Sequence, residues 1–114
     1  MQDFKELIIK RPQVYRMPKL PLNGKWLNEY GFTIGTLVSV SYYDSCLTLT
    51  ANSNESNSSV IVVESKQVRR RIRPQLLVDG FMLKRMGIGV GDRVGLHIMP
   101  SRIQLTKINR YTTA

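Results

Sequence analysis

Alternation of apolar and polar residues indicates a hairpin in the first half of this chain. Residues 37–42 alternate with a period of two, and residues 47–50 do so again after a turn at Asp44 and Ser45. Successive side chains of a strand point to opposite faces, so each segment has one apolar face for a core. The pattern predicts two antiparallel strands joined by a tight turn.

A short strand and a short helix precede this hairpin. Residues 20–22 have strand character. Residues 24–31 predict one or two helical turns, with Asn23 as the N-terminal cap and Gly31 ending the helix in the left-handed region. Residues 18–50 therefore form one predicted unit of strand, short helix, strand, turn and strand.

The same unit occurs again 56 residues later, at residues 74–106. The two segments share 10 identities in 33 ungapped positions, where chance would give roughly two. The identities include Gly31 and Gly87, at the expected helix ends, where the backbone favours glycine. Because each unit alone is too short to bury much apolar surface, we expect the two units to share one core.

Three further segments complete the predicted organisation. An N-terminal extension, residues 1–17, contains an apolar stretch at residues 7–9 that fits either an edge strand or a helical turn. Residues 51–73 start as a polar loop, continue as a β-branched strand at residues 60–64 and end in a basic connecting strand. Residues 107–114 continue the last strand briefly and form a C-terminal tail.

The composition favours an anionic partner. Of the 114 residues, 17 are Lys or Arg and 8 are Asp or Glu, which gives a formal net charge of +9. Such a balance promotes binding to polyanions, although a basic protein without a nucleic-acid role is the alternative.

The single cysteine excludes an internal disulfide, no apolar run approaches the ~20 residues that span a bilayer, and the N-terminus lacks a signal-peptide core. We therefore expect a cytoplasmic protein with no membrane association.

A basic segment at residues 66–73 carries five cations and no acid. In extended form, Arg69, Arg71 and Arg73 would share one face. Because the arginine fork suits phosphate oxygens, one interpretation is a phosphate-contacting ribbon; the other is a solvated linker. The expected nucleic-acid-binding residues combine this ribbon with cations beside the two short helices: Lys66, Arg69, Arg70, Arg71, Arg73, Lys84, Arg85, Lys19 and Lys25.

Residues suited to catalysis are sparse. Metal-free RNA cleavage usually needs an acid and a base, and His97 is the only histidine; its place in the alternation indicates the solvent face and a structural or neutral role. Asp79 and Asp92 fit helix-cap and turn positions, and Cys46 fits a buried small residue better than a nucleophile. The sequence shows no catalytic constellation and leaves the catalytic residues unknown, and it predicts no metal ligand and no cofactor.

Aromatic residues are expected both in the core and on the surface. Trp26 and Phe32 are expected in the core. Tyr42 and Tyr43 are adjacent in a strand and so point to opposite faces, which leaves one of them free to stack on a base.

Both units carry family resemblances. Residues 83–88, 91–94 and 103–105 resemble the AbrB/MazE (SpoVT-type) swapped-hairpin family. Residues 22–35, which read L-x-G-K-W-L-x-x-x-G-F-x-x-G, resemble the core of the SymE-type toxins more specifically. Residues 46–50, and Tyr15 and Arg16 upstream, also fit the SymE-type pattern.

The resemblances imply a fold and a function. AbrB-type folds interlock the hairpins of two βαββ units, so they imply a mainly β fold with short helices, in which the tandem repeats form an AbrB-like swapped-hairpin barrel. The chain would then be an intramolecular pseudo-dimer, and association into a homodimer stays open. SymE-type proteins are regarded as toxins of a type I toxin-antitoxin system, produced in the SOS response, restrained by an antisense RNA and linked to RNA cleavage.

The resemblance thus favours a toxin that acts on RNA, by binding or cleavage, and suppresses translation. An endoribonuclease activity would rest on this resemblance alone. One alternative is a non-catalytic AbrB-like DNA-binding protein with a nucleoid or transcriptional role. Another is a protein-interaction module of antitoxin type, whose basic face is incidental.

Overall fold

The computed structural model describes residues 2–12, 17–43, 45–52 and 59–108. In chain order, its elements are β1 (Asp3–Ile8), β2 (Leu20–Asn23), α1 (Trp26–Glu29), β3 (Leu37–Tyr43), β4 (Cys46–Ala51), β5 (Ser59–Val62), β6 (Glu64–Val68), β7 (Arg71–Val78), α2 (Gly80–Arg85), β8 (Arg93–Met99) and β9 (Arg102–Ile108). The predicted mainly β fold with short helices is confirmed. No helix in these ranges is long and apolar enough to cross a membrane.

The strands form two antiparallel sheets. The larger sheet has the order β1-β8-β9-β4-β3-β5, and the smaller sheet has the order β2-β7-β6. Both predicted hairpins are present, as β3–β4 and β8–β9. They lie side by side in the larger sheet, because β4 pairs with β9.

The pairing registers relate the two predicted units. Within β4–β9, Thr48 lies opposite Gln104, and within β2–β7, Pro21 lies opposite Leu77. In each case the two residues are 56 positions apart, so each strand meets its own counterpart at the equivalent residue. The hairpins also have corresponding registers, since Val38 pairs with Ala51 and Val94 with Lys107.

One hydrophobic core runs through both units. Apolar residues at corresponding positions are buried in pairs because the alternation of each strand places them on the inner face. The buried pairs are Leu20 and Leu76, Leu22 and Val78, Leu27 and Leu83, Phe32 and Ile88, Val38 and Val94, Val40 and Leu96, Leu47 and Ile103, and Leu49 and Leu105. Trp26 is only half-buried and packs against this core.

The structure corrects the predicted cap of the first helix. The N-cap of α1 is Lys25, which makes no side-chain capping bond, and Asn23 lies in β2 opposite Gln75. Gly24, at a φ of 137°, turns the chain between strand and helix and delays the helix start. The counterpart Asp79 does cap α2, since its Oδ1 accepts a hydrogen bond from the Met82 N–H at 3.0 Å.

The segments outside the two units also enter the sheets. The sequence predicts a strand or a helical turn at residues 7–9. The first two of these residues end β1, a strand that pairs with β8 at the edge of the larger sheet, and Ile9 follows the strand. Residues 60–64 divide between two strands, because β5 pairs with β3 whereas β6 pairs with β7 in the smaller sheet. Most of the predicted polar loop and most of the C-terminal tail lie outside the described residues, as do Tyr15 and Arg16.

Candidate nucleic-acid interface

The basic segment folds into a hairpin, which corrects the prediction of one continuous extended ribbon. β6 ends at Val68, Arg69 and Arg70 form the turn, and β7 begins at Arg71. Arg69 therefore does not share a strand face with Arg71 and Arg73. The sequence missed the reversal because no glycine or asparagine marks the turn, although Arg69 adopts a left-handed φ of 57°.

The hairpin brings cations together from both strands. Lys66 lies opposite Arg73, and Val68 lies opposite Arg71. Directly opposed residues of an antiparallel pair share a face, so Lys66, Arg71 and Arg73 project from one side while the turn adds two more arginines at the tip. We call residues 66–73 the cationic hairpin.

The cationic hairpin has a surface exposed to solvent. Val68 and four of its five cations are exposed, and the side chain of Ile72 is 67 % exposed. Val68, Arg71, Arg73 and the two turn arginines line a concavity of about 590 Å³. The ion pairs found among the described residues are Arg93–Glu6 at 3.2 Å and Lys107–Asp92 at 3.4 Å. Neither neutralises a cation of this hairpin.

Arg73 differs from the other four cations because it is half-buried. Its Nε is enclosed, and within the described part of the chain it has no hydrogen-bond partner; the same is true of Oε1 of Gln75, two residues along the same strand face. An enclosed donor without a partner costs about 1–3 kcal/mol. A phosphate oxygen is the type of acceptor that a guanidinium at this position would take.

The four predicted cations outside the hairpin lie in three places. The Gly24 N–H donates to the carbonyl of Pro74 at 3.4 Å, which sets the neighbouring Lys25 beside the base of the cationic hairpin. Lys84 lines a groove together with Met17 and Pro18, and Lys19 follows Pro18 directly. Gly80 allows this close approach, since a Cβ there would lie 2.6 Å from the Cβ of Met17.

Arg85 is directed elsewhere, towards the end of the first hairpin. Its guanidinium carbon lies 4.2 Å from the centre of the Tyr42 ring. Burial raises the pKa of Tyr42, and the positive charge of Arg85 opposes that rise, so the phenol is protonated at neutral pH. Tyr43 beside it is 77 % exposed. The sequence indicated that one tyrosine could stack on a base, but it did not indicate the contact with Arg85.

Candidate catalytic side chains lie apart from these cations. His97 is exposed, as predicted, and its ring centre lies 4.9 Å from that of Phe4. Cys46 is half-buried rather than buried, with its Sγ 3.9 Å from Oγ1 of Thr48. Asp92 accepts a hydrogen bond from the Gly89 N–H at 2.8 Å, as expected for a turn residue. Among the described residues, no three His, Cys, Asp or Glu side chains converge as metal ligands would.

The fold and the site together define a small, basic, antiparallel β-protein that presents a cationic hairpin to solvent, with no ion pair to this hairpin among the residues that the structure describes. Comparison with known proteins gives a family match over part of the chain. Residues 7–51 match the family model described as "Toxin SymE, type I toxin-antitoxin system".

Curated proteins give the same family name. The chain is 35 % identical over 72 residues to "Endoribonuclease SymE" of Salmonella paratyphi C (strain RKS4594), covering 62 % of this chain and 66 % of that protein. It is 33 % identical over 72 residues to "Toxic protein SymE" of Escherichia coli (strain K12), covering 62 % of this chain and 64 % of that protein. The chain thus spans just under two thirds of these relatives. No solved structure matches significantly.

Proposed function

We propose that this chain is a SymE-type toxin that binds RNA through the cationic hairpin and thereby suppresses translation. The observation that carries the proposal is the concentration of five cations in residues 66–73, without an acidic partner among the described residues. Support for RNA as the target comes from the match of residues 7–51 to the toxin model and from relatives named endoribonuclease.

The physical basis of this binding is the neutralisation of phosphates. Each phosphate contacted by a Lys or Arg releases counterions, so binding weakens as the salt concentration rises. On a single strand, the logarithm of the binding constant falls by about 0.7 per contact for each tenfold increase in salt. Arg71 and Lys66 on the hairpin face and the two turn arginines can each reach a different phosphate. Lys25 at the hairpin base, and Lys19, Lys84 and Arg85 around α2, would extend the contact.

The proposal includes RNA cleavage as the toxic activity, on the strength of the relatives' name. Cleavage of RNA requires groups that take a proton from the 2′-hydroxyl and supply one to the leaving oxygen. His97 and the exposed carboxylates are candidates by chemistry alone, because no hydrogen bond joins His97 to a carboxylate in the described part of the chain. We therefore assign no catalytic residue. On the same family basis, expression would be restrained by an antisense RNA.

We also propose that residues 18–50 and 74–106 are tandem repeats arranged as an AbrB-like intramolecular pseudo-dimer. Support comes from the pairing of β4 with β9 and of β2 with β7, centred on Thr48–Gln104 and Pro21–Leu77. One core shared by both units is what such an arrangement requires. A sedimentation measurement that gives a 13.1 kDa monomer at micromolar concentration would agree with it, whereas an obligate homodimer would contradict it.

A second candidate function is DNA binding without catalysis. The observation that favours it is the same register symmetry, because AbrB relatives use paired units to present basic residues on one face. In this case the chain would bind duplex DNA at least as tightly as RNA, with no cleavage of either.

The deciding experiment incubates the purified protein with total RNA, once in chelator and once in magnesium, and titrates binding to RNA and to duplex DNA against salt. Cleavage under either condition, with RNA binding that weakens steeply with salt, is the expected result. Intact RNA under both conditions together with tighter binding to duplex DNA would contradict the toxin proposal and support the DNA-binding alternative.

Matched variants make the role of the cationic hairpin specific. Replacing Arg69, Arg70 and Arg71 by Gln should lower RNA affinity and reduce the salt slope by about two units. The control replaces Arg93 and Lys107 by Gln, since both cations already pair with carboxylates. If the control variant and the hairpin variant lose equal affinity for RNA, the cationic hairpin is not a specific RNA-binding site.

A further inference from the structure

A small notch lies where α2 meets the end of the first hairpin. Its lining consists of Tyr42, Tyr43, Ser45, Arg85 and Met86, and its volume is about 230 Å³. Pockets that enclose a whole small-molecule ligand usually measure roughly 300–1,000 Å³. The tyrosine notch, as we call it, therefore has room for one flat group laid against its wall rather than for an enclosed ligand.

Some side chains of the notch are restrained by contacts, and one is exposed to solvent. The ring of Tyr42 is half-buried against the core and is covered by the guanidinium of Arg85 at 4.2 Å. This contact restrains Arg85, because a guanidinium over an aromatic face is attracted by the ring quadrupole. Tyr43, by contrast, is 77 % exposed, so its ring face is available to another molecule.

The lining of the notch combines an exposed aromatic ring with a restrained cation, and this combination suits a nucleotide. Base–aromatic stacking tolerates any base sequence because every base has a π-face. A guanidinium can hold the phosphate attached to that base by two parallel hydrogen bonds. A base that stacks in this way must be unpaired, because a base inside a duplex is covered by its neighbours.

The corresponding place in the second unit lacks these groups. A shift of 56 positions replaces Tyr42 by Ile98, Tyr43 by Met99 and Arg85 by Glu29. The turn itself is kept, since Ser45 and Ser101 have φ values of 60° and 62°. The backbone frame is therefore present twice, whereas the exposed aromatic ring and the cation are present at one end only, because Tyr30, the counterpart of Met86, is buried.

We infer that the tyrosine notch is a binding subsite for one unpaired nucleotide of a single-stranded nucleic acid, with Tyr43 stacking on the base and Arg85 contacting its phosphate. This inference rests on the proposed function and specifies which part of the RNA the protein recognises. Because the notch occurs at one end of a nearly symmetric frame, it gives a bound strand a defined direction relative to the cationic hairpin.

The test measures the affinity of a fluorescent 12-nucleotide single strand by anisotropy, in RNA and in DNA form, against the matching duplex. Tyr43→Ala should weaken single-strand binding by about 5- to 100-fold at fixed salt, the range expected for one lost stacking contact, with the salt slope unchanged. Tyr43→Phe should bind as the wild type does, since it keeps the ring. Arg85→Gln should lower the salt slope by about 0.7 units, the value of one phosphate.

Two control variants separate stacking in the notch from general effects of surface aromatics. Phe81→Ala removes a ring that is 74 % exposed on α2 outside the notch, and Met99→Ala changes the counterpart of Tyr43. Both should bind within about twofold of the wild type. A 2-aminopurine base in the single strand should lose fluorescence on binding to the wild type and to Tyr43→Phe, but not on binding to Tyr43→Ala.

The results distinguish failure of the notch from failure of the proposed function. Wild-type affinity in folded Tyr43→Ala, with strong salt-dependent binding of both proteins to RNA, would overturn the notch alone. Absence of RNA binding by the wild type would overturn the proposed function and the notch with it. Equal fold losses for single-stranded RNA and DNA support a stacking site, whereas an equal loss for the duplex contradicts one.

Discussion

Ile9 and Val63 occupy the same position in the two halves of the molecule. Each is 1 % exposed, and their N–H groups donate to the carbonyls of Asp92 and Thr36 at 3.0 and 2.9 Å, residues that are themselves 56 positions apart. The carbonyls of Ile9 and Val63 in turn accept hydrogen bonds at 2.8 Å from the N–H groups of Gly91 and Gly35. The correspondence between the halves therefore includes β1 and β5, the two edge strands of the larger sheet.

This position predicts a large effect of a small deletion in the core. Ile9→Ala should lower the free energy of unfolding by about 2–5 kcal/mol, because it leaves a cavity where β1 ends against the core. The control is Ile8→Ala, whose side chain is 48 % exposed; it should change stability by about 0.5 kcal/mol or less. Urea denaturation of both variants measures the difference, and equal effects would mean that β1 does not hold Ile9 in the core.

The two helix starts predict unequal effects of removing the same kind of side chain. Asp79→Ala should destabilise the fold by about 0.5–2 kcal/mol, because Met82 N–H loses its capping acceptor. Asn23→Ala, at the corresponding position of the first unit, should be nearly neutral because its side chain caps nothing. Thermal denaturation compares them. A larger loss for Asn23→Ala would contradict the assigned cap.

Asp92 predicts a specific loss of stability in acid. The hydrogen bond from the Gly89 N–H is the main reason that the pKa of Asp92 is lowered, and Lys107 adds to it. A lowered pKa in the folded state means that the carboxylate stabilises the fold above its unfolded pKa of about 3.9. This contribution is lost as the pH falls through the folded pKa.

Denaturant titrations between pH 7 and pH 2.5 measure that loss. Asp92→Asn keeps an acceptor for Gly89 but removes the charge, so its stability should fall less steeply with acid than that of the wild type. Lys107→Gln should retain most of the wild-type dependence, since the Gly89 hydrogen bond is the larger cause. The assignment fails if the two variants exchange these behaviours.

The turn of the cationic hairpin predicts opposite effects on stability and binding. Arg69 has a left-handed φ of 57°, the place where a hairpin turn favours glycine. Arg69→Gly should leave stability unchanged or raise it by up to about 1 kcal/mol. The same variant should bind RNA more weakly, and its salt slope should be lower by the amount that one phosphate contact contributes. Arg70→Gly, at a residue without a positive φ, should lose the same binding and also about 0.5–1 kcal/mol of stability. A binding loss in neither variant would exclude the turn arginines from the interface.

The local elements were predictable where one short-range rule acts alone. Alternation over residues 37–42 and 47–50 predicted the β3–β4 hairpin because one face of each strand must be apolar to be buried. The helix ends at Gly31 and Gly87 followed from their need for positive φ, with observed values of 91° and 70°. The exposure of His97 followed from its phase between two buried residues.

Other local features escaped the sequence because two rules competed. Asn23 is a good capping residue, but it is held in β2 by its pairing with Gln75, so strand pairing outweighed capping. The reversal at Arg69 and Arg70 carries no turn signal, and the register of β6 against β7 imposes it. The backbone pairing of β6 with β7 over five opposed residue pairs outweighs the local cost of a left-handed arginine.

The sequence by itself determined the spacing of the units, the apolar faces of their strands and the excess of positive charge, because these depend on residue identity and short-range geometry. Only the tertiary structure decided which strands pair and which side chains meet. The contact between Arg85 and Tyr42 joins residues from different units, and β1 finds β8 across most of the chain. Such partners are selected by the shape of the shared core, which no short stretch of sequence contains.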